Sequence, residues 1–140
     1  MAGGLFKWFK KEPTEKEERI KAAEEAIKRC ANKGRYWELI KMSEDENLPD
    51  KVREMAKEKI LLAAMERIKK CAKAGWDEDL IKMSENQKLP EEVRIKAGEK
   101  AIEICFNEGR YDIVLKMSKN EKLPEEIREI AKKVAERRII

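Results

Sequence analysis

From Lys41 to Arg53 the chain reads KMSEDENLPDKVR, and it says nearly the same thing twice more, KMSENQKLPEEVR from Lys82 to Arg94 and KMSKNEKLPEEIR from Lys116 to Arg128. Each copy follows a Cys-x-x-x-Gly that ends at Gly34, Gly75 or Gly109, and the markers Cys30, Cys71, Cys105 and Leu48, Leu89, Leu123 keep the same two offsets of 41 and 34 residues. An internal repeat with periods in this range implies a stack of helical hairpins. Within each unit the apolar positions recur at helical spacing, as in Ile20, Ala23, Ile27, Cys30 and Ala31. Glycine then ends the long helix by taking the left-handed conformation that a helix end needs. A short helix and a polar turn follow, and Leu-Pro opens the next long helix, since a proline near the first turn lacks only an amide that would have no partner there.

The expected fold class is therefore all-α, an α-α superhelix or solenoid of about seven helices, three helical hairpins plus a capping helix. The pattern predicts helices near 14 to 32, 36 to 44, 50 to 73, 77 to 85, 91 to 107, 111 to 119 and 125 to 138. Thr14 with Glu17 forms a capping box for the first. The chain divides into an N-terminal cationic aromatic segment, 1–13, and one repeat domain, 14–140, with repeats about 14–48, 49–89 and 90–123 and a cap at 124–140. The last helix becomes charged at Lys132, Lys133, Glu136, Arg137 and Arg138, as a terminal repeat facing water should.

Composition narrows the function classes. The 33 basic and 29 acidic side chains are interleaved, so the net charge of +4 does not gather on one face as in nucleic-acid binders. No apolar run is long enough to span a membrane and no secretory signal opens the chain, which makes a cytoplasmic location the expectation. The three cysteines recur at one structural position, about 10 Å apart in packed helices, too far for disulfides. They read as small buried core residues in a reducing compartment. With no histidine, a mixed Cys/His zinc site is excluded, and no cofactor is expected. Abundant Lys and Glu in regular repeats fits a thermophile, where surface ion pairs form networks, and equally an engineered repeat protein with no biological activity.

The long helix from Asp50 departs from the period. Seven more residues separate Pro49 from Cys71 than Pro90 from Cys105, which is close to two turns and leaves the apolar stripe facing nearly the same way. Inside it, Ile60, Leu61, Leu62 and Met65 with two alanines are apolar all round, so this patch is expected to be covered on more than one face. The expected cover is Phe6, Trp8 and Phe9 of the segment LFKWFKK, or a second copy of the chain in a homodimer; the alternative is a local overhang with no partner. The same segment also reads as a weak membrane-surface anchor, with lysines at the headgroups and aromatics at the acyl boundary, or as a remnant with no role.

The short helix, polar turn and Val-Arg opening of the long helix resemble HEAT repeats of the armadillo and phycocyanobilin-lyase type. The residues are Leu39-Ile40, Asp45, Val52-Arg53 and Ala56; Leu80-Ile81, Asn86, Val93-Arg94 and Ala97; and Val114-Leu115, Asn120, Ile127-Arg128 and Ala131. The resemblance implies a structural ladder of Asp45, Asn86 and Asn120 with Arg53, Arg94 and Arg128, although the turn is longer than in the usual unit. The spacing of 34 and the Gly-Arg-Tyr-Asp at Gly109 also resemble a tetratricopeptide repeat. That family carries small residues where this chain has Leu39, Leu80 and Val114.

No stretch carries catalytic chemistry. Lys116-Met117-Ser118-Lys119 resembles the phosphate-holding KMSKS loop of class I aminoacyl-tRNA synthetases, but the same Lys-Met-Ser recurs in every unit and the partner histidine motif is missing. Paired carboxylates such as Glu91-Glu92 and Glu125-Glu126 sit at helix starts, where the helix dipole favours them. The expected function is a non-catalytic protein-interaction or scaffolding module with a protein or peptide partner. Its binding residues are taken from the glycine turns: Arg35, Tyr36, Trp37, Trp76, Arg110 and Tyr111, because solenoids bind along such edges and aromatics anchor partners.

Overall fold

The computed structural model describes residues 14–139. Among them are seven helices and no strand: α1 Glu15–Lys33, α2 Tyr36–Glu44, α3 Asp50–Ala74, α4 Asp77–Glu85, α5 Glu91–Asn107, α6 Tyr111–Ser118 and α7 Glu125–Ile139. The repeat predicts these bounds to within a residue. The fold is the expected all-α solenoid.

The two recurrent signatures correspond to two recurrent turns. In Cys-x-x-x-Gly, the cysteine carbonyl accepts from the residue after the glycine, Cys30 from Arg35 at 2.9 Å, Cys71 from Trp76 at 2.9 Å and Cys105 from Arg110 at 2.8 Å. This is the Schellman closure, and it requires the positive φ that Gly34, Gly75 and Gly109 adopt at 73°, 76° and 74°. In the polar turn, the side-chain oxygens of Asp45, Asn86 and Asn120 accept from the amides two residues on, at 2.9, 3.0 and 3.0 Å. That local closure is why Asp or Asn stands there. The prolines take the cap position itself, and Pro49, Pro90 and Pro124 each accept from the amides three and four residues ahead. Thr14 Oγ1 accepts from Glu17 N at 3.1 Å to start α1.

The long helices α1, α3, α5 and α7 pack in sequence along one layer, and each short helix lies along the long helix that follows it. Packing is more extensive across the polar turns than across the glycine turns. The core runs continuously through both layers, with Ile27, Leu39, Val52, Leu80, Val93, Val114 and Ile127 inaccessible to solvent. All three cysteines are free and buried in it. Gly98 lets α7 come close, for a β-carbon there would meet the Ile127 side chain at 2.7 Å.

In α3, at 25 residues the longest helix, Ile60, Ala63 and Ala64 are buried but Leu61 and Leu62 are 39% and 48% exposed. The core covers one side of this patch. At 100° per residue, Leu61 and Leu62 fall off the stripe running through Val52, Ala56, Ile60, Ala63 and Ile68. Phe6, Trp8 and Phe9 lie outside the described residues. No described helix is long and apolar enough to cross a membrane.

Candidate functional site: the glycine-turn edge

The turns after α1, α3 and α5 bring the residues singled out from the sequence to one edge of the stack. At the first, Tyr36 and Trp37 open α2 with their rings edge to face, centroids 5.3 Å apart. Tyr36 is half-buried, and burial raises its hydroxyl pKa against the opposing influence of Arg67. Trp37 is 38% exposed and Trp76, at the second turn, 48% exposed. Arg35 is exposed on the outside of the first turn.

Arg67 of α3 joins the two indoles. Its guanidinium carbon lies 5.5 Å from the Trp37 ring centroid and 5.4 Å from that of Trp76, within the range where a cation is attracted to an aromatic face. Asp79 at the start of α4 holds the far side of the guanidinium, Nη2 to Oδ2 3.4 Å. Arg67 occupies the position filled by Ala101 in the next unit, counted back four residues from the repeat cysteine. The signal the sequence offers is a large cation where the other two units have Ala26 and Ala101.

At the third turn a different cluster forms. Asp77 is almost fully buried, its Oδ1 3.1 Å from Arg110 Nη1 and its Oδ2 accepting from the Cys105 thiol at 3.4 Å. Burial, reinforced by that hydrogen bond to Asp77, pushes the Cys105 thiol up to about 12. Burial also raises Cys71, with Arg67 opposing. Near neutral pH the protonated form of both thiols is favoured, and that form is not the nucleophile. Arg110 also pairs with Glu108, so its charge is compensated twice. Tyr111 meets Phe106 edge to face at 5.8 Å, beside a groove of about 320 Å³ that Val134 and Arg137 complete. A second shallow groove of about 470 Å³ runs between Arg67, Trp76, Asp79 and Arg110.

The ladder residues sit on the opposite, polar-turn edge. There the links between units run through backbone carbonyls and carboxylates. Arg94 donates from Nε to the Ser84 carbonyl at 2.9 Å and from Nη2 to the Lys122 carbonyl at 2.8 Å, while Ser84 Oγ donates to the Arg94 carbonyl at 2.7 Å. Asn120 Nδ2 donates to Glu85 at 2.9 Å, and Lys88 pairs with Glu44 at 2.9 Å. Arg53 pairs with Asp50 and keeps Nε buried, as does Arg128. Asp45, Asn86 and Asn120 spend their side-chain oxygens on their own turns.

No group of three or more Cys, Asp or Glu among the described residues could hold a metal ion. No family model, curated protein or solved structure matches the chain.

Proposed function

We propose that the chain is a HEAT-like interaction module that binds a protein or peptide on its glycine-turn edge and does no chemistry of its own. The observation that carries this reading is Arg67 held between two half-exposed tryptophans. Exposed indoles on a rigid support are the side chains that most often dominate binding energy, and their low rotamer freedom lowers the entropy cost of docking. Tyr111 and Phe106 continue the aromatic row one unit further, giving an extended partner more than one anchor. The buried thiols and the twice-compensated Arg110 support a non-catalytic site, because their surroundings stabilise one charge state rather than poise two.

The test is selection of peptides from a displayed random library on the full chain, followed by calorimetric titration of the best binder. The expected result is a peptide whose affinity falls by about 30-fold or more, roughly 2 kcal/mol, in Trp37→Ala/Trp76→Ala. A selected peptide that binds this variant as tightly as the parent would overturn the assignment of the edge.

A further inference from the structure

Each of α3, α5 and α7 carries a short helix along it, and α1 has none among the described residues. In that place α1 presents a groove of about 550 Å³, floored by Ile20, Ala23, Leu48, Pro49 and Val52 and rimmed by Arg19 and Asn47. The thirteen residues that precede the described chain end at its lip, because Glu15 and Lys16 also line it.

Those residues keep the register of the repeat. Shifting the chain by 75 residues lays 5–34 on 80–109 without a gap, and thirteen of those thirty positions are identical, Leu5 with Leu80, Lys7 with Lys82, Arg19 with Arg94, Cys30 with Cys105 and Gly34 with Gly109 among them. Leu-Phe-Lys-Trp-Phe at 5–9 thus stands where α4 has Leu-Ile-Lys-Met-Ser at 80–84. Within 80–84 of α4 the buried residues are Leu80, Met83 and Ser84, and their counterparts are Leu5, Trp8 and Phe9. Arg94 clamps the Ser84 carbonyl and the Lys122 carbonyl. Its counterpart Arg19 and the counterpart of Lys122, Asn47, both line the groove, and Arg19 is 80% exposed and pairs with Glu15.

We propose that residues 5–9 of the same chain occupy this groove as a fourth short segment, with Trp8 and Phe9 over Ala23, Leu48 and Val52 and the Phe9 carbonyl accepting from Arg19. Trp8 and Phe9 are bulkier than Met83 and Ser84 and carry more apolar surface to lay over the groove floor. The assignment moves the aromatic segment away from Leu61 and Leu62 of α3 and leaves that face open.

The experiment uses the full chain with Trp37→Phe and Trp76→Phe, so that Trp8 is the sole indole. Emission and acrylamide quenching are read with and without Ala23→Asp, which puts a charge in the groove floor. Arg19→Glu, at an exposed position, serves as a second variant. The expected result is a blue-shifted Trp8 whose quenching is several-fold weaker than that of free indole, with both effects lost in Ala23→Asp and weakened in Arg19→Glu while helix content is retained. Emission like free indole in the unmodified groove would overturn the proposal. So would a protected Trp8 indifferent to both groove variants, which would place the segment elsewhere, or protection that fades on dilution, which would place it on a second copy.

Discussion

Replacing Gly34 by alanine should cost far more than the same change at the two glycines that repeat it, although all three share one backbone conformation. With φ at 73°, 76° and 74°, each alanine carries a left-handed penalty of about 1–2 kcal/mol. The narrower freedom of alanine in the unfolded chain offsets roughly 0.4–1 kcal/mol of it, leaving about 1 kcal/mol at Gly75 and Gly109. At those positions the new methyl finds room, the nearest atoms being a Glu108 carboxylate oxygen at 3.6 Å and the Tyr111 ring at 3.9 Å. At Gly34 it meets the Arg67 backbone nitrogen at 2.9 Å, the Arg67 α-carbon at 3.2 Å and the Ala63 carbonyl at 3.3 Å. Backbone in the middle of α3 cannot rotate away, so α1 must shift, adding about 1–3 kcal/mol of overpacking. Gly34→Ala should therefore lose about 2–4 kcal/mol in urea denaturation, with Gly75→Ala and Gly109→Ala near 1. Three equal losses would refute the claim that the first turn is pressed against α3.

Other perturbations separate packing, hydrogen bonding and titration. Gly98→Ala should destabilise by about 1–2 kcal/mol despite better helix propensity, because Ile127 is buried and blocks the methyl; adding Ile127→Val should recover part of the loss in the same denaturation assay. Arg94→Lys should cost about 1.5–3 kcal/mol, since an ammonium cannot serve the Ser84 and Lys122 carbonyls from one fork, and a neutral thermal scan would show that the clamp carries no stability. Raising the pH should also weaken the fold. The folded chain holds the Cys105 proton up to about 12 against an ordinary value of 9.0, so the unfolded chain loses it first. The stabilisation is complete below about pH 9 and is lost as pH climbs toward the folded value, by up to roughly 1.4 kcal/mol per pH unit for one thiol. Urea midpoints at about pH 8 and about pH 10 should diverge less in Cys105→Ala than in the parent, and an unchanged difference would exclude Cys105 as the source.

Much of the fold is readable because glycine and proline act as local punctuation. Cys-x-x-x-Gly encodes a closure whose donor, acceptor and φ are all fixed by neighbours in sequence, and Asp or Asn three residues before Leu-Pro encodes another, so helix bounds follow without tertiary knowledge. What periodicity misses is where the register is kept but the residue changed. Asp77 stands at the position of Tyr36 and Tyr111, and only the packed neighbours Cys105 and Arg110 reveal a buried carboxylate there. Arg67 likewise becomes part of the edge only when α3 lies between Trp37 and Trp76, thirty residues away on one side and nine on the other. In the apolar run from Ile60, helix geometry turns Leu61 and Leu62 away from the core, at 39% and 48% exposed, and composition alone does not say which members of such a run face inward.

The central claim is that the tryptophan edge receives the partner. It is tested most directly by recording the indole N–H signals of Trp8, Trp37 and Trp76 in the isotopically labelled full chain while the selected peptide is added. The Trp37 and Trp76 signals should move together and saturate at one equivalent, with Trp8 unmoved. A peptide that saturates the protein while both signals stay in place would contradict the account.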